Sequence, residues 1–222
     1  MRQFWLAAAI GLAAQLHAAP PPSVAPAPTG VIQGDFSDPE LSPSQWTLVL
    51  RPDGTGHFRA EMEHKAGMKE IEAPNIDREI AVSKEFAGRA FGVAKSHNWF
   101  NVGCESHLKV AFQGWKTLAY TGPAGHGSCT FNYSRDREIQ SLGESMQAVA
   151  QTILEGARLE VLLQHDRLGL DKEMEFLTEE FEDGRAQEVD AIHDILERLA
   201  GDDEVLERVR KRAQNLLAHS PS

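Results

Sequence analysis

Hydrophobic and polar positions alternate most clearly at Trp46-Thr-Leu-Val-Leu-Arg51 and again over His57 to Met62, where Phe58, Ala60 and Met62 share one face. Pro52-Asp53-Gly54-Thr55-Gly56 between them is rich in turn residues, so the pair reads as a β-hairpin. Lys69 to Ala73 and Glu79 to Val82 are weaker strand candidates separated by Pro74. The period then lengthens. Phe86, Ala87, Ala90, Phe91 and Ala94 recur at helical spacing, Ser83 is placed to cap their helix, and Asn98 to stop it near His97. Strand patterns return at His107 to Gln113 and Lys116 to Thr121, flanking Gly114-Trp115 as a tight hairpin. A wide glycine-rich turn, Gly122 to Gly127, leads into Ser128 to Tyr133.

After Tyr133 the pattern is helical to the end. Ile139, Leu142, Met146, Val149 and Ile153 form one apolar stripe in a helix that starts at Asp136 and runs to about His165. Asp171 is placed to cap a second helix carrying Met174, Leu177 and Phe181. Arg185 to Ala200 forms a third with Val189, Ile192, Leu196 and Leu199, and Asp202 or Asp203 caps a last one. The fold class expected is therefore α+β. A small antiparallel sheet with one packed helix occupies residues 31–135, and a C-terminal region of about four helices occupies 136–222, docked on the sheet or standing alone.

The first residues change the picture of where this chain works. Arg2 precedes an apolar run from Phe4 to Leu16, which is signal-peptide length and short of the roughly 20 residues a membrane span needs. Cleavage is expected after Ala18, because a cut after Ala19 would leave Pro20 first. Residues 19–30, rich in Pro and Ala, read as a semi-stiff tether. A periplasmic or secreted location follows, with no stable membrane insertion after cleavage. The two cysteines, Cys104 and Cys129, are then expected as a disulfide. If the last three strands formed a meander, the first and third would lie nearly 10 Å apart at about 4.8 Å per strand step. A disulfide needs Cα atoms within about 7 Å. Cys104 is thus expected in the segment before its strand, folded over the sheet edge toward Cys129.

Charge is uneven. Residues 31–135 carry 11 basic and 12 acidic side chains, whereas 136–222 carry 10 and 21, a net of −11. Nucleic acid and anionic lipid are poor partners for such a tail; a protein partner or self-association fits better.

No motif supplies catalytic, metal or cofactor chemistry by its spacing. His57 and His64, or His97, His107 and His126, lack the short-spaced ligand pair that zinc sites use. Ser128 follows Gly125-His-Gly but leads into a strand, whereas a nucleophile elbow leads into a helix. Gly54 and Gly56, and Gly122 and Gly125, match no phosphate loop. The carboxylate pairs Glu179-Glu180, Glu182-Asp183 and Asp202-Asp203 lack a calcium-loop pattern. Aromatics cluster around the disulfide region. Phe112 and Phe131 are expected in the core, and Trp99, Trp115 and Tyr120 form a candidate binding surface, with Trp115 hard to bury at a hairpin tip.

The stretch Gly127-Ser-Cys-Thr-Phe-Asn-Tyr-Ser-Arg-Asp-Arg-Glu-Ile-Gln140, with Ile153-Leu-Glu-Gly-Ala-Arg-Leu-Glu160, resembles exported bacterial proteins of uncharacterised function over the later two thirds of the chain. The resemblance implies no activity. The function expected is a non-enzymatic exported binding or structural module. The alternative is a periplasmic hydrolase using His97, His107 or His126, which would require those histidines and an acid to meet in one pocket.

Overall fold

The computed structural model describes residues 29–62 and 74–219. The expected signal peptide, tether residues 19–28, His64 and the Lys69–Ala73 strand candidate lie outside the described residues.

The protein is α+β. Its sheet has six antiparallel strands in the order β4-β3-β2-β1-β5-β6, formed by β1 (Val31–Ser37), β2 (Gln45–Leu50), β3 (Thr55–Ala60), β4 (Ile76–Ala81), β5 (Trp115–Gly122) and β6 (Gly125–Phe131). The β2–β3 hairpin forms where alternation predicts it, with Leu48 opposite Phe58. The central strand β1 lies where the sequence pattern predicts none. Its inward positions are Ile32, Gly34 and Phe36, and a glycine weakens the strand pattern at its midpoint. That glycine has a packing reason: a Cβ on Gly34 would collide with Met146 Sδ from the helix above. One sheet face carries Ile32, Leu48, Leu50, Phe58, Leu118 and Phe131 into the core. The other is polar, with Thr47 donating to Asp35 at 2.7 Å and Thr117 bonded to Thr130 at 2.8 Å.

The expected helix covers the core face, and the first helix of the C-terminal region docks beside it. α1 (Lys84–Ser96) starts where Ser83 Oγ accepts from the Phe86 amide, and it buries Phe86, Ala87, Ala90 and Ala94. α2 (Arg137–His165) starts at Asp136, whose carboxylate accepts from the Glu138 and Ile139 amides. The stripe Ile139, Leu142, Met146, Val149 and Ile153 packs on the sheet. The same helix then runs on, and its Leu159 and Leu163 enter a second core with α3 (Gly169–Glu182), α4 (His193–Gly201) and α5 (Glu207–Ala218). The helical region therefore docks on the sheet through a helix common to both cores. Arg78 on β4 grips Glu160 on α2 with two hydrogen bonds of 3.0 and 3.1 Å. Glu188, in a left-handed conformation at φ 57°, accepts from the Ser83 amide and hydroxyl at 2.6 and 3.0 Å, so a loop between α3 and α4 completes the cap of α1.

Several boundaries differ from expectation. Asp171 is not a cap but sits inside the first turn of α3, where its carboxylate pairs with Arg208 and Arg212 of α5. Arg185 to Glu188 is not helical; a short 3-10 turn, Val189–Ile192, precedes α4. Neither Asp202 nor Asp203 caps α5, which begins after Leu206 without a side-chain cap. Residues 107–113 are not a strand, and Trp115 is not at a hairpin tip but opens β5. The turn between β5 and β6 is tight rather than wide, with Gly122 opposite Gly125. Phe131 is fully buried as expected, whereas Phe112 is 49% exposed.

Candidate binding surface

Residues 102–115, which include the expected strand at His107 to Gln113, form an arch beside the β6 edge. It leaves α1 through Asn98, Trp99 and Phe100, three consecutive residues at positive φ of 50°, 58° and 63°. Left-handed backbone costs about 1–2 kcal/mol per non-glycine residue. Here Phe100 is fully buried and Trp99 stacks on Tyr120 with ring centroids 4.2 Å apart, and both contacts offset that cost. The turn lies against β6 so closely that a Cβ on Gly127 would stand 2.5 Å from the Trp99 carbonyl oxygen and 2.7 Å from the Asn101 nitrogen. Beyond it, Cys104 bonds Cys129 of β6 with Cα atoms 5.6 Å apart. The crossing of the sheet edge expected for Cys104 is present, although no strand follows it.

Side chains replace the missing ladder. Glu105 accepts from the amides of Asn132 at 2.6 Å and His107 at 3.0 Å. The Asn132 amide is the main reason its carboxyl stays below the usual carboxylate range. Asn132 in turn accepts from the Gln113 amide and donates to the Ala111 carbonyl, and the Ser106 amide donates to the Tyr133 carbonyl at 2.9 Å. The arch is therefore tied down at both feet while its crown, residues 107–113, is exposed.

That crown carries apolar side chains. Val102, Leu108, Val110, Phe112 and, at its foot, Trp115 are 38–49% exposed, and they make up five of the nine large hydrophobics exposed among the described residues. Phe112 meets Trp115 edge to face at 5.9 Å. Alternation at Leu108, Val110 and Phe112 underlies the strand expectation, but no neighbouring strand is there to accept it. A cleft of about 550 Å³ opens beside Leu108, lined also by Tyr133, Arg135, Arg137 and Glu144. On the opposite face of β5 from Trp115, Lys116 is 3% exposed: its ammonium lies 5.8 Å from the centroid of the Phe131 ring and makes one long hydrogen bond, 3.4 Å, to the Gly114 carbonyl. Burial pushes its pKa down, against the pull of Glu144 and Glu105.

The three aromatics expected to share a surface are thus separated. Trp115 is on it. Tyr120 is 4% exposed and belongs to the core, where it supports the half-buried Trp99. The signal missed was the alternation Lys116-Leu118-Tyr120, which turns Tyr120 inward on β5.

No hydrogen bond or ion pair joins the three histidines among the described residues. His126 is on β6 and His107 on the exposed arch. His97 touches an acid, with Nε2 2.9 Å from Asp136, but its Nδ1 lies 2.9 Å from the Val93 carbonyl. With both nitrogens engaged, it ties the end of α1 to the start of α2 and has no lone pair for a substrate proton. Burial opposes its charge, yet the Val93 carbonyl and the carboxylates of Asp136 and Glu138 raise its pKa overall. The stability it lends is fully present below an unfolded histidine's pKa and fades as pH rises through the raised value. His97→Ala should therefore cost about 1 kcal/mol near pH 6 and less near pH 8, as read from urea midpoints at the two values.

One other buried polar group stands out. Glu155 of α2 is enclosed against Glu173 of α3, accepts from Gln151 Nε2 at 2.6 Å, and leaves its Oε2 without a hydrogen-bond partner. Burial first, and then the Glu173 carboxylate, push its pKa up to about 9. Arg158 pairs with Glu173 at 3.0 Å. Among the described residues no group of three or more histidine, cysteine or acidic side chains could hold a metal ion, and no helix is long and apolar enough to cross a membrane.

No protein-family model and no curated protein matches this sequence.

Proposed function

We propose that this chain is an exported, non-enzymatic binding module whose docking surface is the arch at residues 102–115. The observation that carries the reading is the gathering of exposed Val102, Leu108, Val110, Phe112 and Trp115 on one irregular, disulfide-held segment. Contiguous exposed apolar groups of this kind mark interaction sites, and aromatic anchors dominate binding energy. The disulfide and the side-chain bonds at both feet favour a surface formed before a partner arrives, which lowers the entropy lost on docking. Export is supported by the apolar N-terminus and by a disulfide suited to an oxidising compartment. Intact-mass analysis of the protein recovered from the cell envelope tests it: loss of residues 1–18 with both sulfurs oxidised is expected, and Met1 retained with two free thiols would overturn export.

The docking reading is tested by placing a photo-crosslinking amino acid at Phe112 or, as a control, at the equally exposed Leu41. A discrete adduct is expected from position 112 alone, and it should vanish when Leu108 and Val110 are changed to Asp. No adduct, or the same adducts from both positions, would sink the reading.

A further inference from the structure

Resting on that reading of the arch, we infer that its partner is a polypeptide segment bearing carboxylates among apolar side chains. Charge complementarity carries the inference. In a chain of net charge −11, cations readily find carboxylates, and nine of the thirteen described arginines sit in ion pairs. Of the other four, Arg89 lies over the Phe86 ring, and Arg198 lines a separate cleft with Glu197 and Asp202. Arg135 and Arg137, both exposed and both lining the cleft beside Leu108, make no ion pair and no side-chain hydrogen bond among the described residues; nor does exposed Lys109 on the crown.

The acids nearby are already engaged. Glu105 is held by the Asn132 and His107 amides, Asp136 caps α2 and meets His97, and Glu144, which lines the same cleft, accepts from Gln140. Three exposed cations, Lys109, Arg135 and Arg137, thus stand on the arch and the adjoining 132–137 without a carboxylate partner, while Glu105, Asp136 and Glu144 beside them are each committed to hydrogen bonds. The amides of Lys109, Ala111 and Phe112 also lack partners among the described residues, so the crown presents backbone donors between its apolar side chains. Apolar anchors, unpaired cations and open donors together suit an extended acidic-apolar segment.

The other occupants fit less well. An anionic bilayer or a nucleic acid spreads its charge over a wide surface and would meet the acids of residues 136–222 (net −11), whereas a short segment touches the arch alone. A second copy docked arch to arch through a two-fold axis would bring two patches bearing the same unpaired cations together.

The test uses the mature full-length chain and three short synthetic peptides in which Leu, Phe and Val alternate with Glu, with Gln or with Lys, followed by fluorescence anisotropy. The Glu peptide is expected to bind at least about tenfold tighter than the Lys peptide at low ionic strength, with the gap closing as added salt screens the contact. R135E/R137E should invert the preference, and F112S/W115S should abolish binding of all three, with unchanged circular dichroism showing that both variants fold. Equal affinity for the three peptides, no binding of the Glu peptide, binding to phosphatidylglycerol vesicles in its place, or self-association in light scattering that R135E/R137E abolishes would each overturn the proposal. The two readings fail separately. Binding that F112S/W115S removes but charge does not affect leaves the arch as docking surface and rejects the acidic partner. Binding untouched by F112S/W115S rejects the arch itself.

Discussion

Replacing Cys104 and Cys129 together with serine is expected to lower stability by roughly 3.5 kcal/mol, the entropy that a 25-residue cross-link removes from the unfolded chain. The loss should be local in its first consequence. Cys129 stands on β6, held in register against Leu118 of β5, whereas Cys104 sits on a segment with no ladder of its own. Without the bond, the arch keeps the contacts of Trp99 and Phe100 on one side and, on the other, the Glu105 and Asn132 hydrogen bonds and the one from the Ser106 amide to the Tyr133 carbonyl. Hydrogen exchange should therefore show amides of the arch near Ser106 and Gln113 losing protection before those of β5 and β6. A denaturant midpoint unchanged to within about 1 kcal/mol, or an arch as protected as before, would mean that the noncovalent feet suffice and the bridge is incidental. If the arch is the docking surface, the serine pair should also weaken binding while the sheet stays folded, because the crown would have to be ordered at the moment of docking.

Glu155 is expected to produce the second large effect, and its sign is fixed by linkage. In the folded chain its carboxyl holds a proton up to about pH 9, because burial and the Glu173 carboxylate both resist a second charge between α2 and α3. An unfolded glutamate releases that proton near its ordinary value of 4.5. Between these limits the folded state binds more protons than the unfolded one, so stability falls as pH rises. Each tenfold difference in proton affinity between the two states corresponds to about 1.4 kcal/mol, so the loss by pH 9 is on the order of a few kcal/mol. Glu155→Gln keeps the shape and the neutral hydrogen-bonding capacity and removes the titration. The variant should match or exceed the parent at neutral pH and show a much flatter decline toward pH 9 in urea midpoints. An alkaline limb as steep as the parent's would show that Glu155 is not the group responsible.

The interhelix chemistry also explains why the helical region is not a free appendage. α2 contributes Ile139 to Ile153 to the sheet core and Leu159 and Leu163 to the helical core, so unfolding either core exposes part of the same 29-residue helix. Arg78–Glu160 and Glu188–Ser83 add polar locks on the β4 side.

What the chain alone determined is what depends on near neighbours in sequence. Period-2 alternation placed β2 and β3, because a strand buries every second residue whatever it pairs with. Period-3.6 stripes placed α1 and α2, and Ser83 and Asp136 marked their starts, because caps act within three residues. The cysteine pairing followed from the chain's having two cysteines and an N-terminus that reads as an export signal. What required tertiary structure is what depends on distant partners. β1 became the central strand because β2 and β5 flank it and Met146 fills the space that Gly34 leaves, none of which its own pattern records. Residues 107–113 have the alternation of a strand but gain no ladder: Trp99 and Asn101 approach β6 at Gly127, and near its far end the segment is met by the Asn132 side chain instead of by strand backbone. An alternating segment without a ladder leaves its apolar side chains in water. For that reason the candidate surface lies on the arch rather than on Tyr120, and only the assembled fold could place it there.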